Sequence, residues 1–254
     1  MFPQLYTATS GLVAGERALE LVANNLANAR TPGFRPDRPI FSSYLEAIAQ
    51  PNPQADPEAP SGSLLRPLQA YGVTLSGTWQ PDVAGPIRET GSPLDLAIQG
   101  RGWFRIGTAR GERLTRAGSF TRAADGRIVT PAGDELLDAQ GSAIVIPEGR
   151  LDVAADGTMT VDGAQVAQLG LAEATGRTLI REGDTLWKPS GPLELLEDGA
   201  SRVLQGHIEE SGVSATRELV TLVAAQRLFE MQQRIVHMTA NVLAPKALDL
   251  ANAR

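Results

Sequence analysis

QLYTATSGLVAGERALELVANNLANA, residues 4–29, is the stretch that decides the architecture. Leu5, Ala8, Leu12, Gly15, Leu19, Val22 and Leu26 recur at alternating spacings of three and four, a heptad seam that predicts an amphipathic helix. Leucine holds one seam position throughout. The other carries Ala8, Gly15 and Val22, small enough for a partner backbone to approach closely. A mid-helix glycine costs about 1 kcal/mol relative to alanine, and close packing is the compensation expected at Gly15. Asn24, Asn25 and Asn28 then lower helix propensity. Thr31-Pro32-Gly33 ends the segment, since proline restrains Thr31 to extended backbone and glycine tolerates a reversal.

Working outward, the C-terminal end repeats the pattern. Ser214 is a candidate N-cap, with Glu218 near the positive helix end. The seam then reads Leu219, Leu222, Gln226, Phe229, Gln233, Val236, Ala240 and Leu243. Gln226 and Gln233 are polar positions in an apolar stripe, more readily understood as fixing register or partner than as core filling. Pro245 stops the run or kinks it before Leu248 and Leu250. Each seam spans roughly 35–45 Å at 1.5 Å per residue, and such helices need a partner because propensity alone stabilises little in water. They could be core helices of one globular domain, or they could pair with each other or with copies in neighbouring chains.

Between the seams the texture changes. Ile40, Phe41, Tyr44, Leu45 and Ile48 are spaced for a short amphipathic helix, and residues 50–62, with four prolines, read as a linker or extended arm. From Tyr71 to Gly206 short apolar strings at 94–98, 103–106, 128–130, 143–146 and 166–171 alternate with Gly, Pro and Asp-Gly turns, which predicts strands and hairpins. Ala123-Ala124-Asp125-Gly126-Arg127 and Ala154-Ala155-Asp156-Gly157-Thr158 resemble each other as hairpin turns. The fold class expected is α+β: N- and C-terminal helices around a β-rich, hairpin-dominated middle.

Composition narrows the function. With 254 residues and 42% apolar content, the chain can bury a core. Lys and Arg total 23 against 29 acidic residues, so no sequence-wide basic field invites nucleic acid. No run approaches the roughly 18–20 apolar residues of a membrane span, and no secretory signal is read at the N-terminus. Cysteine is absent, which excludes thiolate nucleophiles and cysteine metal sites. Asp152, Asp156, Asp162 and Asp184 lack the spacing of a calcium loop, and His207 and His237 lack a second ligand at helical spacing. Gly100-Arg101-Gly102 is followed by Trp103 and Phe104 where a dinucleotide loop needs a helix start. No nucleophile elbow or Walker loop is present. The expectation is therefore no catalytic, cofactor or metal site, no small-molecule substrate and no enzyme, with a β-rich hydrolase as the remote alternative.

Three stretches together resemble the bacterial flagellar rod and hook protein family. Asn24-Asn25-Leu26-Ala27-Asn28 followed by Thr31-Pro32-Gly33-Phe34 is similar to its N-terminal signature. Residues 90–104, including Leu94-Asp95-Leu96-Ala97-Ile98-Gln99-Gly100-Arg101-Gly102-Trp103-Phe104, resemble its central block, with Trp103 in place of a phenylalanine, and Thr115-Arg116-Ala117-Gly118-Ser119-Phe120 continues it. Glu209-Glu210-Ser211-Gly212-Val213 through Gln226-Arg227-Leu228-Phe229-Glu230-Met231 resembles the C-terminal block. There Gly212 replaces the usual asparagine, a change expected to weaken the turn entering the helix. The short middle and the Phe229–Gln232 string look most like a proximal rod component, with the distal rod component the close alternative; a hook protein would need a much larger middle.

The resemblance implies a coiled-coil inner domain formed by the two terminal helices, with the β-rich domain outside it. The implied segments are 1–34 (N-terminal helix), 35–70 (extended arm), 71–206 (β-rich domain) and 207–254 (C-terminal helix). It implies self-assembly by helical packing, with both seams as the assembly interface and with other rod proteins as partners. It also implies export by the flagellar type III apparatus and a place in the basal-body rod in the periplasm, in a torque-transmitting rather than catalytic role, without direct membrane insertion.

Overall fold

The computed structural model describes residues 3–43, 72–81, 84–174, 179–183, 185–191, 194–195, 201–238 and 241. Ala240, Leu243, Pro245, the 248–250 segment, Asp184 and most of the expected arm lie outside these residues, as does the side chain of Leu5.

Among the described residues, two helices flank eighteen short strands: α1 (Pro3–Ala27), β1 (Arg38–Ser43), β2 (Val73–Trp79), β3 (Ile87–Glu89), β4 (Leu96–Gly100), β5 (Trp103–Thr108), β6 (Gly111–Thr115), β7 (Thr121–Arg122), β8 (Ile128–Val129), β9 (Glu135–Leu136), β10 (Leu151–Val153), β11 (Thr158–Val161), β12 (Ala164–Gln168), β13 (Leu171–Glu173), β14 (Leu179–Arg181), β15 (Leu186–Pro189), β16 (Glu194–Leu195), β17 (Ser201–Gln205), β18 (His207–Glu209) and α2 (Ala215–Met238). The chain is thus α+β. It divides into two units, Met1–Leu26 with Asp37–Trp79 and Thr216–Arg254, and Ala27–Pro36 with Gln80–Ala215.

In the first unit, α1 and α2 meet where the sequence placed a small residue. A Cβ on Gly15 would lie 2.7 Å from Gln232 Oε1 and 3.6 Å from Phe229 Cδ2, so the missing side chain is the space those two occupy. Among the described side chains of α1, Ala14, Val22 and Asn25 are buried. On α2 the less exposed row is Glu218, Leu222, Ala225, Phe229, Gln232 and Val236, again spaced by three and four.

Ile40 and Phe41 belong to a strand, which corrects the expected amphipathic helix at these two residues; Tyr44, Leu45 and Ile48 lie outside the described residues. Arg38 and Arg35 each precede a proline that disfavours helical backbone, and β1 finds ladder partners in β2, pairing antiparallel from Arg38 opposite Trp79 to Ser43 opposite Val73, with a bulge between Ile40 and Phe41.

In the second unit the largest sheet runs β14-β15-β6-β5-β9-β8-β7, with β13 joining β5 to β16. Its central strand β5 is covered on both faces. Phe104 and Ile106 enter a core with Leu96, Phe120, Ile128, Leu136 and Met159, while Trp103 joins Leu114, Leu179 and Trp187. Burying each such side chain contributes about 2–3 kcal/mol. The Phe104–Phe120 edge contact at 5.4 Å and the Trp103–Trp187 contact at 5.7 Å add specificity. Residues 143–146 form isolated bridges rather than the expected strand, Ala143 to Leu137 and Val145 to Arg127.

The two similar turn sequences adopt one geometry. Ala123 N–H donates to Arg127 O and Gly126 N–H to Ala123 O; Ala154 N–H donates to Thr158 O and Gly157 N–H to Ala154 O. Both glycines sit at φ 86°, the left-handed residue that closes a three-residue hairpin loop. The same pattern recurs at 130–134 and 138–142.

Candidate assembly site

The three motif-bearing segments converge within the second unit. Gly33, at φ 66°, turns the chain after Pro32 and donates its N–H to Glu209 O at 2.8 Å. A Cβ there would lie 2.3 Å from Ala117 N and 2.4 Å from Arg116 C, so glycine is required by both conformation and space. Phe34, 1% exposed, accepts Gly212 N–H at its carbonyl, 2.9 Å away. The residue standing in the usual asparagine's place therefore ties the third block to the first.

Arg116 and Glu209 form the centre. Their side chains are 4% and 2% exposed and 3.1 Å apart. Arg116 Nη1 also donates to Ile98 O at 3.1 Å and Nη2 to Gly100 O at 2.8 Å, so the central block wraps the guanidinium. Glu209 Oε1 accepts Gly85 N–H at 3.1 Å. Arg35 and Arg116 lie 4.9 and 5.6 Å from the Trp103 ring, and Arg181 lies 4.6 Å from Phe34 and 5.0 Å from Trp187. Arg181 Nη2 donates to Arg35 O at 2.5 Å. Planar guanidinium groups suit these stacked, hydrogen-bonding surroundings better than ammonium would.

The N-terminal motif residues have separate tasks. In the first unit Asn25, fully buried, donates to Asp37 O at 2.9 Å and accepts Asp37 N–H at 3.0 Å, clamping the start of the ribbon to α1. In the second, Asn28 closes the turn after α1: its carbonyl accepts Thr31 N–H and its Oδ1 accepts Thr31 Oγ1–H. Leu26 and Pro32 are half-buried, and Asn24 is exposed. Glu218, 1% exposed at the start of α2, lies 2.8 Å from Arg38 of β1.

Of the seam positions, Ala8, Leu12, Gly15, Leu19 and Leu26 are half-buried and Val22 is buried; on α2 Leu222, Phe229 and Val236 are half-buried. Leu219, Gln226 and Gln233 face solvent. Alternation of three and four does not by itself choose between Gln232 and Gln233 or between Ala225 and Gln226, because both registers share Leu222, Phe229 and Val236. Exposed on the opposite side of α2 are Val220, Val223, Met231 and Met238.

Acid–base character lies elsewhere and is structural. Arg113 and, more distantly, Arg110 hold the Glu182 carboxyl below the usual range. Arg127 does so for Asp125, and the Thr158 N–H for Asp156. None of these three lines the groove of about 690 Å³ beside Pro32, Gly85 and Ser211, or the groove of about 460 Å³ beside Pro93, Leu151 and Gln205. His207 Nδ1 lies 2.8 Å from Gln205 O, and His237 is exposed at the end of α2. Among the described residues no cluster of three metal-ligating side chains occurs, and no helix is long and apolar enough to cross a membrane.

The buried charges and the Asn25–Asp37 clamp were not singled out from sequence. Charged residues embedded in otherwise apolar or glycine-rich motifs, Arg116 in Thr-Arg-Ala-Gly above all, were the available signal.

Comparison with known proteins coincides with these segments. Residues 5–35 match the family model for flagella basal body rod proteins, 97–161 the flagellar hook protein FlgE/F/G D1 domain, and 204–244 the flagellar basal body rod FlgEFG protein C-terminal region. The flagellar basal-body rod protein FlgF of Rhizobium meliloti is 34% identical over 89% of this chain and 88% of its own. FlgF of Escherichia coli is 32% identical over 91% and 92%, and the rod protein FlgG of Agrobacterium fabrum is 32% identical over 94% and 96%. This chain belongs to the flagellar basal-body rod protein family.

Proposed function

We propose that this chain is a structural subunit of the flagellar basal-body rod, of the FlgF kind, working by self-assembly and transmission of torque rather than by catalysis. The observation that carries this reading is the convergence of all three family segments on one buried knot, Gly33, Arg116 and Glu209. It gives the family motifs a scaffolding task. The FlgF assignment is supported by the 34% identity with FlgF of Rhizobium meliloti, against 32% for FlgG of Agrobacterium fabrum. FlgG-type distal rod protein is the second reading.

In this proposal the terminal segments 1–34 and 207–254 pair as a coiled coil, with the 35–70 arm and the 71–206 β-rich part carried between them. The contact of Gly15 with Phe229 and Gln232 supports that pairing. Copies of the chain and other rod proteins are its partners. The flagellar type III apparatus exports it to the periplasm, where burial of apolar helix faces offsets the entropy of ordering the ends. The test is deletion of the gene followed by complementation. Loss of swimming, restored by the wild-type chain but not by Leu12→Asp/Leu19→Asp or Leu222→Asp/Phe229→Asp, is expected. Normal rods and swimming without the protein would overturn the proposal.

A further inference from the structure

Where α2 rests on α1, an amide oxygen is buried without a donor. Gln232 sits over Gly11 and Gly15, which lie about one turn apart on α1. A Cβ on Gly15 would lie 2.7 Å from Gln232 Oε1, and one on Gly11 would lie 3.6 Å from Nε2. Oε1 is shut off from solvent and, among the described residues, meets no hydrogen-bond partner. The helix around the notch offers none, because mid-helix N–H groups are already bonded one turn back. Burying an acceptor without a donor opposes folding, and an apolar side chain of similar size avoids that cost. Stability alone therefore does not account for a glutamine at this position.

The apolar members of the same row, Leu222, Ala225, Phe229 and Val236, do not specify one alignment, since apolar seam residues can pack after a shift of one turn. Such a shift brings Phe229 or Val236 to the notch and carries the amide off the two glycines, whose missing side chains give it room. Resting on the helix pairing proposed above, we infer that Gln232 and the Gly11–Gly15 notch are a matched pair that sets the single register of α2 on α1. The amide acts by penalising the shifted alignments rather than by strengthening the correct one, as a lone polar residue does in an apolar seam. Spacing alone assigned that task to Gln226 and Gln233, which face solvent.

The chain has no cysteine, so spin labels can be placed at Glu20→Cys and Arg227→Cys, both solvent-facing. Pulsed electron resonance on the purified full chain should give one narrow distance distribution. Adding Gln232→Leu should split or displace it by one helical turn, about 5 Å, with helix content by circular dichroism retained. A broad distribution while Gln232 is present, or an unmoved single peak after Gln232→Leu, overturns the inference. The fit of the pair is tested in the native bacterium lacking its own copy. Gly15→Ala raises helix propensity yet sets a methyl group against Oε1, so it should lower recovery of the chain in isolated basal bodies at least fivefold. Gln232→Ala in the same chain should restore recovery, and Gln233→Ala should not. Normal recovery of Gly15→Ala, no rescue by Gln232→Ala, or equal rescue by Gln233→Ala overturns the inference as well; if Gln232→Leu loses its helices, this series decides. Absence of the unsubstituted chain from basal bodies would instead overturn the rod reading, and the distance measurement then decides the register.

Discussion

Replacing Glu209 by alanine removes the counter-charge of a buried guanidinium. The pair is 3.1 Å apart with both side chains at most 4% exposed, and breaking such a pair from one side costs about 3–5 kcal/mol, because the remaining charge stays buried. The Gly85 N–H also loses its acceptor, a further ~1 kcal/mol. Together these approach the lower end of the roughly 5–15 kcal/mol that holds a typical domain. In urea, with a slope of about 2–3 kcal/mol/M, the midpoint should fall by about 2 M. Tryptophan fluorescence is a direct probe, since Arg116 lies 5.6 Å from the Trp103 ring. The control is Arg88→Ala, which breaks the half-exposed Arg88–Glu210 pair and should cost under about 1 kcal/mol. A midpoint shift below ~0.5 M for Glu209→Ala, or one no larger than the control's, would refute the central role assigned to the knot.

Gly33→Ala should lose at least ~2 kcal/mol in thermal unfolding, since its φ of 66° and backbone atoms 2.3 and 2.4 Å from a new Cβ leave no room to relax; a stable Gly33→Ala variant would contradict the turn geometry. Asn25→Ala removes both bonds to Asp37, about 2 kcal/mol, and should abolish hydrogen-exchange protection of the Asp37 amide while leaving Ile106 protected. Asp125, Asp156 and Glu182 all titrate below the ordinary carboxylate range. Their stabilising contribution is complete above about pH 4–5 and is lost as pH falls through the depressed values. Melting temperature should therefore hold near neutrality and drop in acid, with a shallower drop in the Asp125→Asn/Asp156→Asn/Glu182→Gln variant; an unchanged acid slope would contradict the assignment.

Much of this fold was legible because its signals are local. The α1 seam, its glycine and the Thr31–Gly33 stop depend on spacing and backbone sterics alone, and the Asp-Gly hairpins at 125–126 and 156–157 announce themselves by turn chemistry. The two sister turns at 130–134 and 138–142 were harder to see because Pro131-Ala132-Gly133 and Ala139-Gln140-Gly141 lack the Asp-Gly pair, although the glycine stands at the same place. Ile40 and Phe41 were ambiguous because their partner strand begins at Val73, and no local rule supplies a pairing across that distance. The buried knot was the least legible part. Arg116 and Glu209 come together only in the fold, from positions 93 residues apart in sequence.

Electron cryo-microscopy of intact basal bodies from the native bacterium, carried to side-chain resolution, tests the central claim most directly. The account predicts this chain in the rod, with α1 and α2 of each copy paired through Gly15, Phe229 and Gln232. A rod built without this chain, or copies within it whose α1 and α2 lie apart, would contradict it.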